Sequence, residues 1–359
     1  MDKKLKIIFF IFLIIPFFGR GVTKKKLKLF KTIPENYKGS FFPSIPHSFA
    51  IDSKNNIYYP LNFKHKVLKV GSSGELLAII GKKGGGPGDL YLPFLIKIYK
   101  NKLFILDNNA FSIFSTDGSF LRRFRYFSGI LDFTIADNKI FANYSIGKKV
   151  IKVMDFNGRK LYSFGDLAKI NNVDFNLYKG KDFATFEDLS ATKIASSLKN
   201  IFLLFPQFGV LCKYDLKGKL LNKKKIVFNN EKFDKEIEKI RSVLREGKYK
   251  RERIYYGGKR KGVDIWMISS FNFCDDKIFI SISSNFTDVN TINIFQLNSK
   301  TLNTEAEYIL HSRKHDISDN FIVKYKDESF YFYVPITDIN TNEIKIGVFK
   351  LKKGGHKLR

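Results

Sequence analysis

Short apolar runs bounded by Asp, Asn, Lys or Gly recur along the chain, and their order is more regular than their spacing. A polar turn followed by an apolar strand occurs six times. The first three copies are Asn55-Asn56-Ile57-Tyr58-Tyr59, Asn101-Lys102-Leu103-Phe104-Ile105 and Asn138-Lys139-Ile140-Phe141. The others are Lys199-Asn200-Ile201-Phe202-Leu203, Asp276-Lys277-Ile278-Phe279-Ile280 and Glu328-Ser329-Phe330-Tyr331-Phe332. From Ile57 through Leu103, Ile140, Ile201, Ile278 and Phe330 the spacings are 46, 37, 61, 77 and 52 residues.

A second pattern follows the first four copies: a strand, a tight x-Gly turn and another strand. Its turns are Ser73-Gly74, Asp117-Gly118, Asn157-Gly158 and Lys217-Gly218, and Asn298-Ser299-Lys300 stands in the fifth copy. Asp-Gly and Asn-Gly between apolar runs signal hairpins because both residues of such turns accept positive φ. Each unit therefore reads as a four-stranded meander of about 40 residues, the length of a propeller blade. The expected fold is all-β, a six-bladed β-propeller of antiparallel four-stranded blades.

The sixth unit falls short. Residues 321–326, 329–334 and 343–352 supply three strands, whereas residues 26–33 form a spare one with Leu27, Leu29 and Ile33 at alternating positions. Pairing this segment with the last blade would close the ring and hide an exposed edge.

Gly81-Lys82-Lys83-Gly84-Gly85-Gly86-Pro87-Gly88-Asp89-Leu90, followed by Pro93, resembles the Gly-rich junction of bacterial extracytoplasmic six-bladed propellers related to NHL-repeat proteins. Asp107-Asn108-Asn109 is similar to the end of a strand in an NHL-type blade. The resemblance implies a fold, and binding or scaffolding modules as well as a few enzymes share it. The glycines are expected to let the chain cross between blades. The stretch lacks the Gly-Lys-Ser/Thr ending of a phosphate-binding loop, and a strand pattern follows it.

Phe233, Ile237, Ile240 and Leu244 fall at helical intervals, with Asn230 as an N-cap, Glu231 and Asp234 in the first turn and Gly247 at the end. This helix opens an insertion over 228–262 between the fourth and fifth blades. Behind it come Lys248, Tyr249, Lys250, Arg251, Arg253, Tyr255, Tyr256, Lys259 and Arg260. Basic residues interleaved with tyrosines suit a polyanion or a sugar chain, although a solvated loop with its tyrosines packed on the propeller is the plainer reading. Connections over 166–190, 228–262, 283–291 and 334–343 are long and share one face of a meander, whereas the turns on the other face are short. Long loops carry function on rigid scaffolds, so that face is expected to be the working one.

Residues 1–21 read as a signal peptide: Lys3, Lys4 and Lys6, an uncharged run over 7–18, then Gly19-Arg20-Gly21. An uncleaved membrane anchor is the lesser alternative. One propeller is expected over 22–359, exported to the periplasm or outside the cell. The chain carries 63 Lys and Arg against 34 Asp and Glu, a net charge of +29. That favours anionic partners, but lysines coating strand edges are the simpler explanation. Cys212 and Cys274 lie in segments that could be neighbours, with free thiols the commoner outcome.

No catalytic, cofactor-binding or metal site is assigned, and a cofactor stays unknown. His47, His65, His311, His315 and His356 show no metal-ligand spacing, and the 311–315 segment reads as a loop between blades. Asp52, Asp107, Asp132, Asp137 and Asp264 lie near strand ends, where Asp caps turns. The expected function is non-catalytic binding or scaffolding, by a monomer, of a protein or anionic polysaccharide rather than nucleic acid, with a membrane surface as a further option. The alternative is a lactonase-like propeller hydrolase or lyase with a metal in its central channel.

Overall fold

In the computed structural model, Ile57, Leu103, Ile140, Ile201 and Ile278 are wholly buried and Phe330 nearly so. Each sits on the second strand of a meander, where neighbouring sheets cover both faces. The structure describes residues 22–33, 48–108, 110–126, 129–144, 149–166, 192–246, 267–282, 287–288, 290–318 and 320–352.

Four sheets are separate antiparallel meanders of four strands. The first comprises β2 (Ala50–Ile51), β3 (Ile57–Leu61), β4 (Lys66–Val70) and β5 (Leu76–Ile80). The second comprises β6 (Leu95–Tyr99), β7 (Lys102–Leu106), β8 (Ala110–Ser115) and β9 (Phe120–Arg125). In the third are β10 (Ile130–Ala136), β11 (Lys139–Tyr144), β12 (Lys149–Met154) and β13 (Lys160–Asp166). The fourth holds β14 (Lys193–Ser196), β15 (Asn200–Phe205), β16 (Val210–Asp215) and β17 (Leu220–Lys225).

A fifth sheet has nine strands. It begins with the meander β18 (Ile268–Cys274), β19 (Lys277–Ile282), β20 (Thr291–Asn298) and β21 (Thr304–His311). It continues through β1 (Thr23–Ile33) to β25 (Ile344–Lys352) and β24 (Ser329–Asp338), which pairs with both β22 (His315–Ile317) and β23 (Ile322–Lys326).

The spare N-terminal strand does pair with the last meander: Leu29 to Ile33 run antiparallel to β25. Its first half differs from the expectation. Thr23 to Lys28 run parallel to β21, because the outer edge of the preceding meander is also open and lies beside it. Two edges are thus covered by one strand.

The sheets form a closed circuit. β6 packs on β2 and β10, β10 on β14, β14 on β18, and β18 on β23. The last strands then return to the first sheet: Ile346, Val348 and Tyr333 share a core with Ile57, Tyr59 and Val70. Lys324 Nζ donates to Asn55 Oδ1 at 3.2 Å across this junction, and its burial lowers the ammonium pKa from its ordinary value. The arrangement is that of a β-propeller.

The x-Gly turns join third to fourth strands as expected, with positive φ at Gly74, Gly118, Gly158 and Gly218. They also pack between sheets. A Cβ on Gly158 would stand 2.4 Å from Phe124 Cδ2, and one on Gly218 would stand 2.7 Å from Phe164 Cγ. Residues 81–94 cross from the outer strand β5 to the inner strand β6, the passage expected of the Gly-rich junction. There Asp89 Oδ2 accepts the Gly86 amide at 2.9 Å.

Helix α1 (Glu231–Arg245) buries Phe233, Ile237, Ile240 and Leu244. Asn230 is the N-cap residue, but its side chain makes no capping bond to the helix. It donates instead to Glu307 Oε1 at 3.1 Å. Asp234 takes over the start of the helix, accepting the Phe228 and Asn230 amides at 2.7 and 3.1 Å. The buried Arg241 fixes the helix on the fourth sheet by donating to Phe208 O at 2.7 Å and Gly209 O at 3.1 Å. Gly247 lies outside the described residues.

One expected loop is partly strand instead. Residues 334–338 extend β24, and the turn beyond is tight, with the Asn342 amide donating to Asp338 O at 2.9 Å. The 311–315 segment is the expected connection between blades: residues 312–314 join the end of β21 to the short β22, which pairs with the far part of the long β24. No disulfide joins Cys212 to Cys274, and burial pushes the Cys212 thiol up to about 12.

Candidate functional site

Lys248, Tyr249, Lys250, Arg251, Arg253, Tyr255, Tyr256, Lys259 and Arg260 all lie outside the described residues, as do His47, His356 and Asp264. The helix leading into that segment is placed. It follows β17 and packs on the 3-10 turn Pro206–Phe208, which joins β15 to β16. Successive strands of a meander alternate in direction. Turns between second and third strands therefore share one end of the molecule with the starts of the inner strands.

At that end the inner strands surround a cavity of about 360 Å³. Ser48 and Phe49 reach it from just before β2, Leu95 and Lys97 from β6, and Leu131 and Asp132 from β10. Lys193 comes from β14, Ser269, Ser270, Phe271 and Asn272 from β18, and Ser318 and Asn320 to Ile322 from the approach to β23. Every meander contributes, and hydroxyls, amides and two ammonium groups make up most of the polar lining.

Asp132 is the one carboxylate among these lining residues. Its Oδ1 accepts the Phe133 amide at 2.9 Å, and its Oδ2 accepts the Ile194 amide at 3.1 Å. Lys97 Nζ stands 3.7 Å from Oδ1, a loose ion pair beside two well-formed amide bonds. Lys193 has no carboxylate partner among the described residues. Ser48 Oγ accepts the Ile96 amide at 3.2 Å, and Asn272 Nδ2 donates to Phe321 O at 2.9 Å. These bonds hold the wall while leaving each group with unused donor or acceptor capacity.

Asp52, Asp107 and Asp137 are turn residues. Asp52 accepts from the Lys54 and Asn56 amides at 2.9 and 2.8 Å, and Asp137 pairs with Lys139. Buried Asp107 accepts the Ala110 amide at 2.7 Å and meets Arg123 at 3.2 Å. His65 accepts the Leu92 amide at 3.2 Å and stacks on Tyr91, and His311 meets Thr291 Oγ1 at 3.2 Å. His315 Nδ1 meets Ser312 Oγ at 2.8 Å. Among the described residues, no group of three or more His, Cys, Asp or Glu converges as a metal site would require.

Apart from Asp132, which was read as a turn-capping carboxylate, the cavity residues were not singled out from the sequence, yet a coarse signal for them exists. Ser48, Lys97, Asp132, Lys193, Asn272 and Asn320 are polar residues at or near the first strand of successive repeats. Counted back from Ile57, Leu103, Ile140, Ile201, Ile278 and Phe330 they fall 6 to 10 residues earlier, so the repeat places them near one end of the molecule without aligning them position by position.

No protein-family model and no curated protein sequence matches the chain. Among solved structures, the chain resembles a Bacteroides fragilis protein named for its expected export. That match has 12% identity and a TM-score of 0.53, covering 92% of this chain and 100% of that one. A streptogramin B lyase matches at 11% identity and a TM-score of 0.47, covering 90% of this chain and 87% of the lyase. BamB from Moraxella catarrhalis matches at 10% identity and a TM-score of 0.38, covering 84% and 71%. At these identities the likeness is one of fold. Among the described residues, no helix is long and apolar enough to cross a membrane.

Proposed function

We propose that this chain is an exported, six-bladed propeller of the NHL-related kind, with residues 22–359 as one domain, and that it is a non-catalytic binding module. Its ligand is a protein or anionic polysaccharide held at the end of the molecule that carries α1. The observation that supports this most is the polar cavity, whose mouth lies at the same end as the helical insertion. Four meanders stand alone, and dividing the nine-stranded sheet at the β21–β1 contact gives two more. The basic residues 248–260 follow α1 directly in the chain, and α1 packs at that end.

A channel-metal hydrolase needs several carboxylates or imidazoles converging on one ion. Asp132 is instead occupied by two amides and a lysine, which favours binding over that chemistry.

The experiment replaces Lys248, Lys250, Arg251, Arg253, Lys259 and Arg260 with Ser and measures retention on immobilised polygalacturonate. The native chain is expected to bind and to release with added salt, since exposed charges are screened over about 10 Å at 0.1 M. The substituted chain is expected to elute at lower salt. Retention unchanged by the six substitutions would place binding elsewhere. Mass analysis of the native protein is expected to find a start close to Val22, and recovery of intact Met1 from the cytoplasm would contradict export.

A further inference from the structure

We infer that the central cavity is the subsite for one acidic sugar residue, a uronic acid whose carboxylate lies between Lys97 and Lys193. The inference rests on the binding reading above and names what the innermost part of that site takes. Two ammonium groups and one carboxylate leave the cavity with an excess of one positive charge. Asp132 cannot neutralise Lys97 fully, because amide bonds at 2.9 and 3.1 Å fix both of its oxygens and keep Lys97 Nζ 3.7 Å away. An anion entering from the mouth meets donors already in position, so little reorganisation opposes its binding.

The rest of the lining selects among anions. A bare inorganic anion needs only donors. Ser269, Ser270, Asn272, Ser318 and Asn320 supply both donors and acceptors on one side of the cavity. Phe49, Phe271 and Phe321 add apolar surface. A ring bearing several hydroxyls, a hydrophobic C–H face and one carboxylate uses all three features. Small-molecule sites of a few hundred Å³ commonly combine an apolar wall with a few placed polar groups in this way.

The test is titration calorimetry on the full chain with tri-galacturonate, its methyl ester and acetate. Tri-galacturonate is expected to bind, and the ester, which keeps the shape without the charge, about tenfold more weakly, as expected for loss of a charged hydrogen bond. Acetate is expected not to compete at equal concentration. Lys97→Met and Lys193→Met are each expected to weaken tri-galacturonate binding about tenfold. Unchanged melting of both variants checks that the wall is intact. Equal binding of acid and ester, displacement by acetate at equal concentration, unaltered binding by both variants, or absence of binding overturns the assignment. Retention by the 248–260 segment is measured separately with the six-Ser chain. Loss there alone leaves the cavity assignment standing, and failure in the calorimetry leaves the rim reading standing.

Discussion

Lys24 on β1 lies directly opposite Glu307 on β21, with its ammonium 3.3 Å from a carboxylate oxygen that is almost completely buried. The other oxygen of Glu307 accepts from Asn293 at 2.7 Å and Asn230 at 3.1 Å. One carboxylate thereby ties the N-terminal strand, the fifth meander and the start of α1. Lys24→Met leaves a buried charge with two amide donors but no cation. It is expected to cost about 1–3 kcal/mol in denaturant unfolding. Lys24→Met with Glu307→Gln is expected to recover part of that loss, and equal stability of the single and double variants would mean the pair contributes little.

Gly158→Ala is expected to destabilise by about 2–4 kcal/mol, combining positive φ with overpacking against Phe124. Phe124→Leu introduced alongside is expected to relieve the overpacking share only. Thermal unfolding of the four-member cycle reads the coupling directly, and strict additivity would show that the added methyl does not meet the ring.

Arg241→Met removes a donor from the carbonyls of Phe208, Gly209 and Ile226, of which Gly209 O keeps the Ile226 amide at 2.8 Å. Buried acceptors left without partners cost about 1–3 kcal/mol each, so α1 is expected to loosen before the sheets do. Hydrogen exchange is expected to lose protection over 231–245 while β15 and β19 keep theirs. A uniform change across all sheets would contradict a local role.

The legibility of these features differs for physical reasons. The second strands were readable because burial on both faces demands continuous apolar runs, as at Ile201 to Phe205. Helix α1 was readable from its 3.6-residue period. The glycine turns were read for their φ, but their contact with Phe124 and Phe164 depends on the neighbouring sheet. No local pattern encodes that. Asn230 was placed correctly and its bond was not, because Glu307 is distant in sequence. The parallel β1–β21 pairing was hidden likewise, since alternation at Leu27, Leu29 and Ile33 reports a strand without naming its neighbours. The cavity was the least visible, because each repeat contributes only one or a few polar residues.

Burial holds the pKa of His315 below its ordinary value despite the nearby Asp338 carboxylate. The unfolded chain therefore binds that proton more readily. Stability is expected to be full above about pH 6.5, the unfolded value, and to fall as pH drops through the folded pKa. Melting temperature followed from pH 7.5 to 5 is expected to decline less steeply in His315→Gln than in the native chain. Parallel profiles would remove His315 as a contributor.

The divided pairing of β1 also sets an order of events in time. Thr23 meets Ala306 and Ile33 meets Ile346, so a chain made or threaded N-terminus first presents β1 long before either partner exists. Drawing together ends roughly 300 residues apart costs about 5 kcal/mol of chain entropy, recovered only when the final strands arrive. The fastening step thus comes last, and a chain stopped short of β25 has no way to complete its circle. Until then β1 travels as an open edge rich in lysine, whose mutual repulsion discourages the wrong strand from taking its place.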